Sequence, residues 1–397
     1  MTTSTIVLDQ RRLTLGTGVT FEKTESSFKV HSPVLREMIN IGADLEDLVS
    51  GRDQPQTGQL IIDQWLTEHG QPVDAPIRSP LQEAVNNLVD HGVLVEEIDL
   101  SHEEAEALIF SEISEANKTA LSQGEPYWNR TLKQVQGLLD WETPLTGRQD
   151  GQKTEAPFQV CRRPDGKYVL FDRAEQALQV VAQGQGLSVT LLPREAFLWN
   201  AVEAPKDFFG TQRVGFPYQG VYLDGQPLIR GIRMDLNDRL DMLDPQDIVG
   251  KNVLDLGSNY GMNCFLAVER GAKSAFGAEY SKALVVSGLR LNTFYGKPCE
   301  FISWDLNTSA PVPDNIDTVF FFALIGHLNT VSAVFETILA SKAKVVYLET
   351  HCDEQSQGEL ERFLAWNQFT EVTKLGNSFD NNFKRTYSRE VFRCRLV

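Results

Sequence analysis

An α/β fold with a doubly wound sheet is predicted for the C-terminal half of this 397-residue chain. Three observations carry that prediction. Short apolar strands alternate with helical patterns from Asn252 to Leu348, the βαβ rhythm that builds a parallel sheet. Ile316 to Phe322 is very apolar, as a central strand covered on both faces must be. Three acids, Asp255, Glu279 and Asp305, fall at the ends of three successive strands, which places them along one edge of the sheet. A small α+β domain and an α+β middle segment are expected to precede this half.

Composition narrows the class of partner. Apolar residues make up 42% and charged residues 23%, ordinary for a soluble globular chain. The formal net charge of -17 disfavours long nucleic acids, since phosphate backbones are repelled unless a local basic patch exists. Arg162-Arg163 and Lys384-Arg385 are short basic pairs, not such a patch. No apolar signal core or membrane-length window is present. Five cysteines without CxxC or Cys/His spacing argue for reduced thiols in a cytoplasm and against a metal site.

Residues 1–100 read as a small domain. Val19, Phe21, Phe28 and Val30 around Glu25-Ser26-Ser27 suggest a hairpin, followed by helices at Val34 to Ile41 and Gly58 to Glu68. Leu81, Ala84, Val85, Leu88 and Val89 follow the i, i+3, i+4, i+7, i+8 spacing of an amphipathic helix, which Gly92 ends before a strand at Val93-Leu94-Val95. In patterning this region resembles winged-helix modules and, more loosely, the PqqD-like fold. A DNA reader would need a basic helix, yet residues 81–97 carry four acids and no Lys or Arg. Protein or peptide contact, a homodimer surface, or a plain structural appendage is expected instead.

Residues 101–157 read as a helical linker region: an acidic helix from Ser101 to Ser122, capped by Ser101 with Glu104, then a loop at Glu142 to Pro157. Residues 158–215 form the middle segment. Phe158 to Arg162 and Tyr168 to Phe171 flank Pro164-Asp165-Gly166, a hairpin signal, with a helix at Ala174 to Gln183 and a strand at Ser188 to Leu192. The segment resembles the ParB/sulfiredoxin-like fold in a degenerate form, because Asp172-Arg173-Ala174-Glu175-Gln176 stands where that fold carries Gly-His-Arg.

Residues 216–397 hold the chemistry. Asn252 to Leu256 leads into Gly257-Ser258-Asn259-Tyr260-Gly261, a turn in which two glycines allow close backbone approach and positive φ. The N–H groups opening the next helix then face a ligand. Glu279, ending the second strand, suits a ribose diol, and Asp305 suits an adenine amino group with Trp304 or Leu306 over the ring. A pyrophosphate site of the G-x-G-x-x-G kind is disfavoured, because Asn259 replaces its middle glycine.

This part of the chain resembles the class I S-adenosylmethionine (AdoMet) methyltransferases, whose first motif matches Asp255-Leu256-Gly257-Ser258-Asn259-Tyr260-Gly261. The run ALIGHL, then a helix, then VVYLET resembles the branch that includes the tRNA wobble-uridine carboxymethyltransferases. The resemblance implies a Rossmann-like seven-stranded sheet with an antiparallel last strand, built by a hairpin of Phe369 to Leu375 and Phe392 to Leu396 with Asn377 to Tyr387 as its loop. It implies AdoMet as cofactor, held by Asp255, Gly257, Ser258, Asn259, Gly261, Glu279, Tyr280, Trp304, Asp305, Leu306 and Ala323. A substrate-covering element at Phe216 to Arg239 offers Tyr218, Gln219, Arg230, Arg233 and Arg239. His327 is the first candidate for a base, because an imidazole titrates near neutrality, followed by Glu349 and His351; a purely structural His327 is the competing reading.

Methyl transfer to oxygen or nitrogen of a small molecule or modified peptide, of natural-product type, is therefore expected. A tRNA-modifying enzyme and a non-catalytic AdoMet-binding regulator are the alternatives.

Overall fold

The computed structural model describes residues 12–15, 19–23, 28–32, 37–40, 46, 48–49, 56–72, 74–90, 93–110, 157–170, 174–202, 217–233, 236–308, 312–350, 357–382 and 385–397. They fall into two compact units. Described residues within 1–112 and 130–199 form the first, and those within 200–397 belong to the second.

In the first unit, β1 (Arg12–Leu15) is followed by β2 (Thr20–Lys23), β3 (Phe28–Ser32) and β4 (Glu37–Asn40), the last three forming an antiparallel sheet. The helix expected over residues 34–41 is thus replaced, from residue 37, by a strand whose backbone pairs with β3. Next come β5 (Gln56–Thr57), α1 (Gly58–Glu68), α2 (Arg78–Asp90) and β6 (Leu94–Leu100). Thr57 caps α1 by accepting from the Leu60 N–H at 3.2 Å. Ile61, Ile62, Trp65 and Leu66 of α1 pack with Leu81, Val85 and Leu88 of α2, the amphipathic face legible in the sequence.

The acidic helix at Ser101 keeps its capping box but lasts only through α3 (His102–Glu106); β7 (Ile109–Phe110) follows. The remainder of the expected helix and most of the linker lie outside the described residues. Then come β8 (Phe158–Arg162), β9 (Tyr168–Leu170), α4 (Ala174–Ala182), β10 (Leu187–Leu192) and α5 (Arg194–Ala201). Their sheet runs β5-β1-β6-β10-β8-β9-β7. β6 is central in it. Expected to stop at Val95, it continues to Leu100 and pairs antiparallel with β10 from Leu187↔Leu100 to Leu191↔Glu96. β1, β5 and β6 therefore share one sheet with β8, β9 and β10.

The second unit opens with the hairpin β11 (Val221–Leu223) and β12 (Gln226–Ile229), then α6 (Leu236–Asp241). Alternating elements follow: β13 (Asn252–Leu256), α7 (Met262–Glu269), β14 (Ser274–Glu279), α8 (Lys282–Tyr295), β15 (Cys299–Ser303) and β16 (Thr318–Phe322). α9 (Ser332–Ser341), β17 (Val345–Glu349), α10 (Gln357–Leu364), β18 (Phe369–Asn382) and β19 (Arg385–Leu396) complete the chain. The sheet order is β15-β14-β13-β16-β17-β19-β18, and β19 alone among its seven strands runs against the others. This is the Rossmann-like sheet with an antiparallel last strand that the resemblance implies.

Both faces are covered, which explains the fully buried β16. Leu254, Leu256, Phe321 and Leu348 meet Val334 and Ile338 of α9 and Leu360 and Phe363 of α10. On the other face α7 packs on β13 and β14, with Phe265 stacked on Tyr295 at 4.5 Å and tilted against Phe301 at 5.6 Å. One element differs from expectation. The loop placed at Asn377 to Tyr387 is mostly strand, since β18 and β19 stay paired from Phe369↔Leu396 to Asn382↔Arg385, with register shifts near Glu371 and Gly376 absorbing the irregularity.

Candidate functional site

The chain steps outward from β13 to β14 and β15, then crosses back to β16 on the other side of β13, where the strand order reverses. Ligands of open α/β sheets bind outside the carboxyl ends of the strands at such a reversal. The turn after β13 is built for close approach. Gly257 and Gly261 have φ of 72° and 85°, and Asn259 also takes a left-handed φ, 55°. A Cβ at Gly261 would meet the Phe301 ring at 2.2 Å. Gly257 N–H and Ser258 N–H donate to the Ala278 carbonyl, tying the turn to β14.

Glu279 braces the same turn. Its Oε2 accepts from Asn259 N–H and its Oε1 from Ser281 N–H, each at 2.9 Å. Each oxygen retains a lone pair, enough for a vicinal diol. Burial raises the Glu279 carboxyl above its usual range, against the pull of the Ser281 and Asn259 N–H groups. Asp305, half-buried past β15, uses Oδ1 to accept from the N–H and side-chain amide of Asn307, at 2.9 and 3.0 Å. Trp304 and Leu306 are buried beside it, and the Trp304 Nε1–H donates to the Thr308 carbonyl. Tyr280 is exposed. Ala323, just past β16, adopts a φ of 52° and donates to the Glu349 carbonyl, a left-handed residue at the edge where function concentrates strain.

Asp255 is buried, and its two oxygens differ. Asn263 on α7 donates to Oδ2 at 3.0 Å, while Oδ1 has no hydrogen-bond partner among the described residues. Burial pushes this carboxyl up to about 7, with Asn263 and Arg239 pulling down and Glu279 adding to the rise. An unsatisfied buried carboxylate oxygen fits a cationic donor.

Three expected roles change on contact with the geometry. Glu349, a candidate base, is wholly buried and accepts two hydrogen bonds from Arg233 (2.7 and 2.8 Å), one from Arg239 (3.0 Å) and one from Ser378 (2.5 Å). Arg389 lies 3.8 Å away. Burial by itself would raise the Glu349 pKa, but Arg239, Arg233 and Ser378 hold it at about 2, so the group takes no proton near neutrality. Arg233 and Arg239, expected to reach a ligand, are 2% exposed and committed to that carboxylate. Arg239 also lies over the Phe322 ring at 4.5 Å and donates to Asn263 Oδ1 at 2.6 Å. Asn263, Ser378 and Arg389 escaped sequence reasoning. Asn263 left one signal, a polar residue in the otherwise apolar start of the helix MNCFLAVE.

His327 is exposed in a short 3₁₀ turn, Ile325–His327, just past β16 at the carboxyl edge. His351 lies outside the described residues. In the covering segment Tyr218 and Arg230 are exposed and Gln219 is buried. Tyr260 O–H donates to the Gln219 carbonyl and Tyr295 O–H to the Tyr222 carbonyl, fastening this segment onto α7 and α8's side of the unit. Among the described residues no His/Cys/Asp/Glu group could hold a metal ion, and no helix is long and apolar enough to cross a membrane.

No family model and no curated protein matches the chain. Solved structures similar to it are S-adenosylmethionine-dependent methyltransferases. The magnesium protoporphyrin IX methyltransferase of Synechocystis PCC 6803 with bound SAM shares 15% identity over 41% of this chain and 78% of that one, with a TM-score of 0.33. A methyltransferase of Mesorhizobium loti shares 19% identity over 29% and 52%, with a TM-score of 0.26. The bifunctional kinase-methyltransferase WbdD shares 19% over 46% and 44%, with a TM-score of 0.36. At these identities and scores the likeness carries no argument about activity, and the functional reading rests on the site's own geometry.

Proposed function

We propose that the second unit is a class I methyltransferase domain that binds AdoMet and transfers its methyl group to oxygen or nitrogen of a small molecule or modified peptide. The observation that carries this reading is the unpartnered Asp255 Oδ1 beside a left-handed glycine turn braced by Glu279. Glu279 would accept from the ribose hydroxyls, Asp305 from the adenine amino group, and Asp255 from the ammonium of the amino-acid end. Gly257, Ser258, Asn259 and Gly261 would lie against the ligand, with Trp304, Leu306, Tyr280 and Ala323 around it. When bound, AdoMet supplies an activated methyl on a sulfonium, so the chain's task is chiefly alignment of an acceptor lone pair.

His327, exposed past β16, would take the acceptor's proton, since Glu349 is held as an ion-paired carboxylate. The net charge of -17 favours a small or peptide acceptor over tRNA. The test is transfer of label from methyl-labelled AdoMet to an extract component, followed by His327→Ala. A labelled product is expected, with turnover in the variant falling by about 10²- to 10⁴-fold. Binding of AdoMet without any labelled product would instead identify a regulator, and unchanged turnover in the variant would remove His327 as base.

A further inference from the structure

Among the described residues of the second unit, three buried acceptor atoms lack a hydrogen-bond partner: Asp255 Oδ1 and Gln219 Oε1, on buried residues, and Glu269 Oε1, on a half-buried one. Asp255 is 1% exposed and Gln219 4%. An acceptor left unsatisfied in this way costs stability, so two in one region point to a ligand that supplies donors.

A series of contacts within the second unit connects Asp255 and Gln219. Asp255 accepts from Asn263, Asn263 accepts from Arg239, and Arg239 donates to Glu349, which Arg233 also grips. Arg233 is the bridge partner of Gln219, with Gly220 N–H donating to the Arg233 carbonyl at 3.0 Å and Arg233 N–H to the Tyr218 carbonyl at 2.7 Å. The Gln219 carbonyl accepts from Tyr260 O–H, and Tyr260 belongs to the turn that begins at Asp255. Each link is a hydrogen bond or a backbone pairing, except the last, from Tyr260 back to Asp255, which is the chain itself. The segment before the sheet is thereby pinned at Gln219 from both sides, by the glycine turn and by the arginine pair on Glu349.

We infer that Gln219 Oε1 and Asp255 Oδ1 together accept hydrogen bonds from one primary ammonium, the amino group of the bound AdoMet. An ammonium carries three N–H donors, so it can satisfy both oxygens at once. The covering segment is then part of the cofactor site. Asn263 positions the carboxylate by holding Oδ2, which leaves Oδ1 for the ligand.

This inference rests on the AdoMet reading, and the probes separate the two. S-adenosylhomocysteine carries the ammonium, whereas 5′-methylthioadenosine keeps the adenosine and sulfur but lacks the amino-acid end. Calorimetric titration of the full chain with each, for wild type and Gln219→Met, reads the difference. The expected result is affinity for S-adenosylhomocysteine lowered at least about tenfold and affinity for methylthioadenosine unchanged. The melting temperature of the ligand-free variant should not fall, because methionine of similar size removes an unsatisfied acceptor. A second variant, Gln219→Glu, keeps an acceptor in place and should retain the preference for S-adenosylhomocysteine. Equal weakening of both probes in Gln219→Met, no weakening of either, or loss of the preference in Gln219→Glu overturns the role of Gln219. A wild-type chain that binds neither probe overturns the AdoMet reading and this inference with it.

Discussion

Asp255 and Glu349 are both buried carboxylates on the same face of the sheet edge, yet the chain treats them oppositely. Asp255 has one amide on one oxygen and a carboxyl pushed up to about 7, whereas Glu349 has two arginines and a serine and is held at about 2. Their pH signatures therefore have opposite signs. The raised Asp255 contributes stability that is present below its ordinary value of 3.8 and lost as pH rises through about 7. The depressed Glu349 contributes stability that is present above 4.5 and lost as pH falls toward about 2. Denaturant titrations across this range should show Asp255→Asn flattening the decline between pH 4 and 7 without a loss at neutral pH. Glu349→Gln, by contrast, should cost about 3–5 kcal/mol at pH 7 by leaving buried guanidinium groups uncompensated. A neutral Glu349→Gln would contradict the ion-paired role. Asp255 stands out in the sequence because its motif is local. Glu349 was misread because its arginines lie 110 and 116 residues earlier, a distance at which spacing says nothing about contact.

Among the elements, the turn from β13 to α7 sets the site. Gly261 opens α7 in a left-handed conformation, and the Phe301 ring occupies the space a side chain would need. Gly261→Ala combines strained φ with an aromatic clash and should destabilise by several kcal/mol, about the upper range for point changes. Gly257→Ala should cost less, because its neighbour at 2.9 Å is the movable Leu324 side chain. Thermal melts of the two variants check the order, and equal losses would contradict it. The turn was readable since glycine spacing reports backbone geometry directly. The β18–β19 hairpin was expected but not its full length, because Asn377, Asn381 and Asn382 favour a loop while cross-strand pairing with β19 overrides that propensity.

At the scale of the whole molecule, one sheet of the first unit crosses the boundary drawn from composition at residue 100. A β6 that runs on through Glu96, Glu97 and Asp99 reads as polar and therefore as an ending, yet it is an interior strand between β1 and β10. Deleting residues 1–100 removes β1, β5 and β6 from a seven-stranded sheet and leaves β10 with an open edge. Hydrogen exchange should then show residues 158–192 losing protection; retained protection there would mean the middle segment folds independently. The second unit was read far more completely, because its alternation of strand and helix and its fully buried β16 are local signals of a doubly wound sheet.

Calorimetric titration of S-adenosylhomocysteine into wild type and Glu279→Ala decides whether the carboxyl edge of β13 to β15 receives an adenosyl cofactor. Saturable one-site binding to the wild type is expected, with at least about tenfold weaker binding to the variant, which loses the brace on Asn259 and the proposed diol acceptor. Equal affinities, or no binding to the wild type, would contradict it.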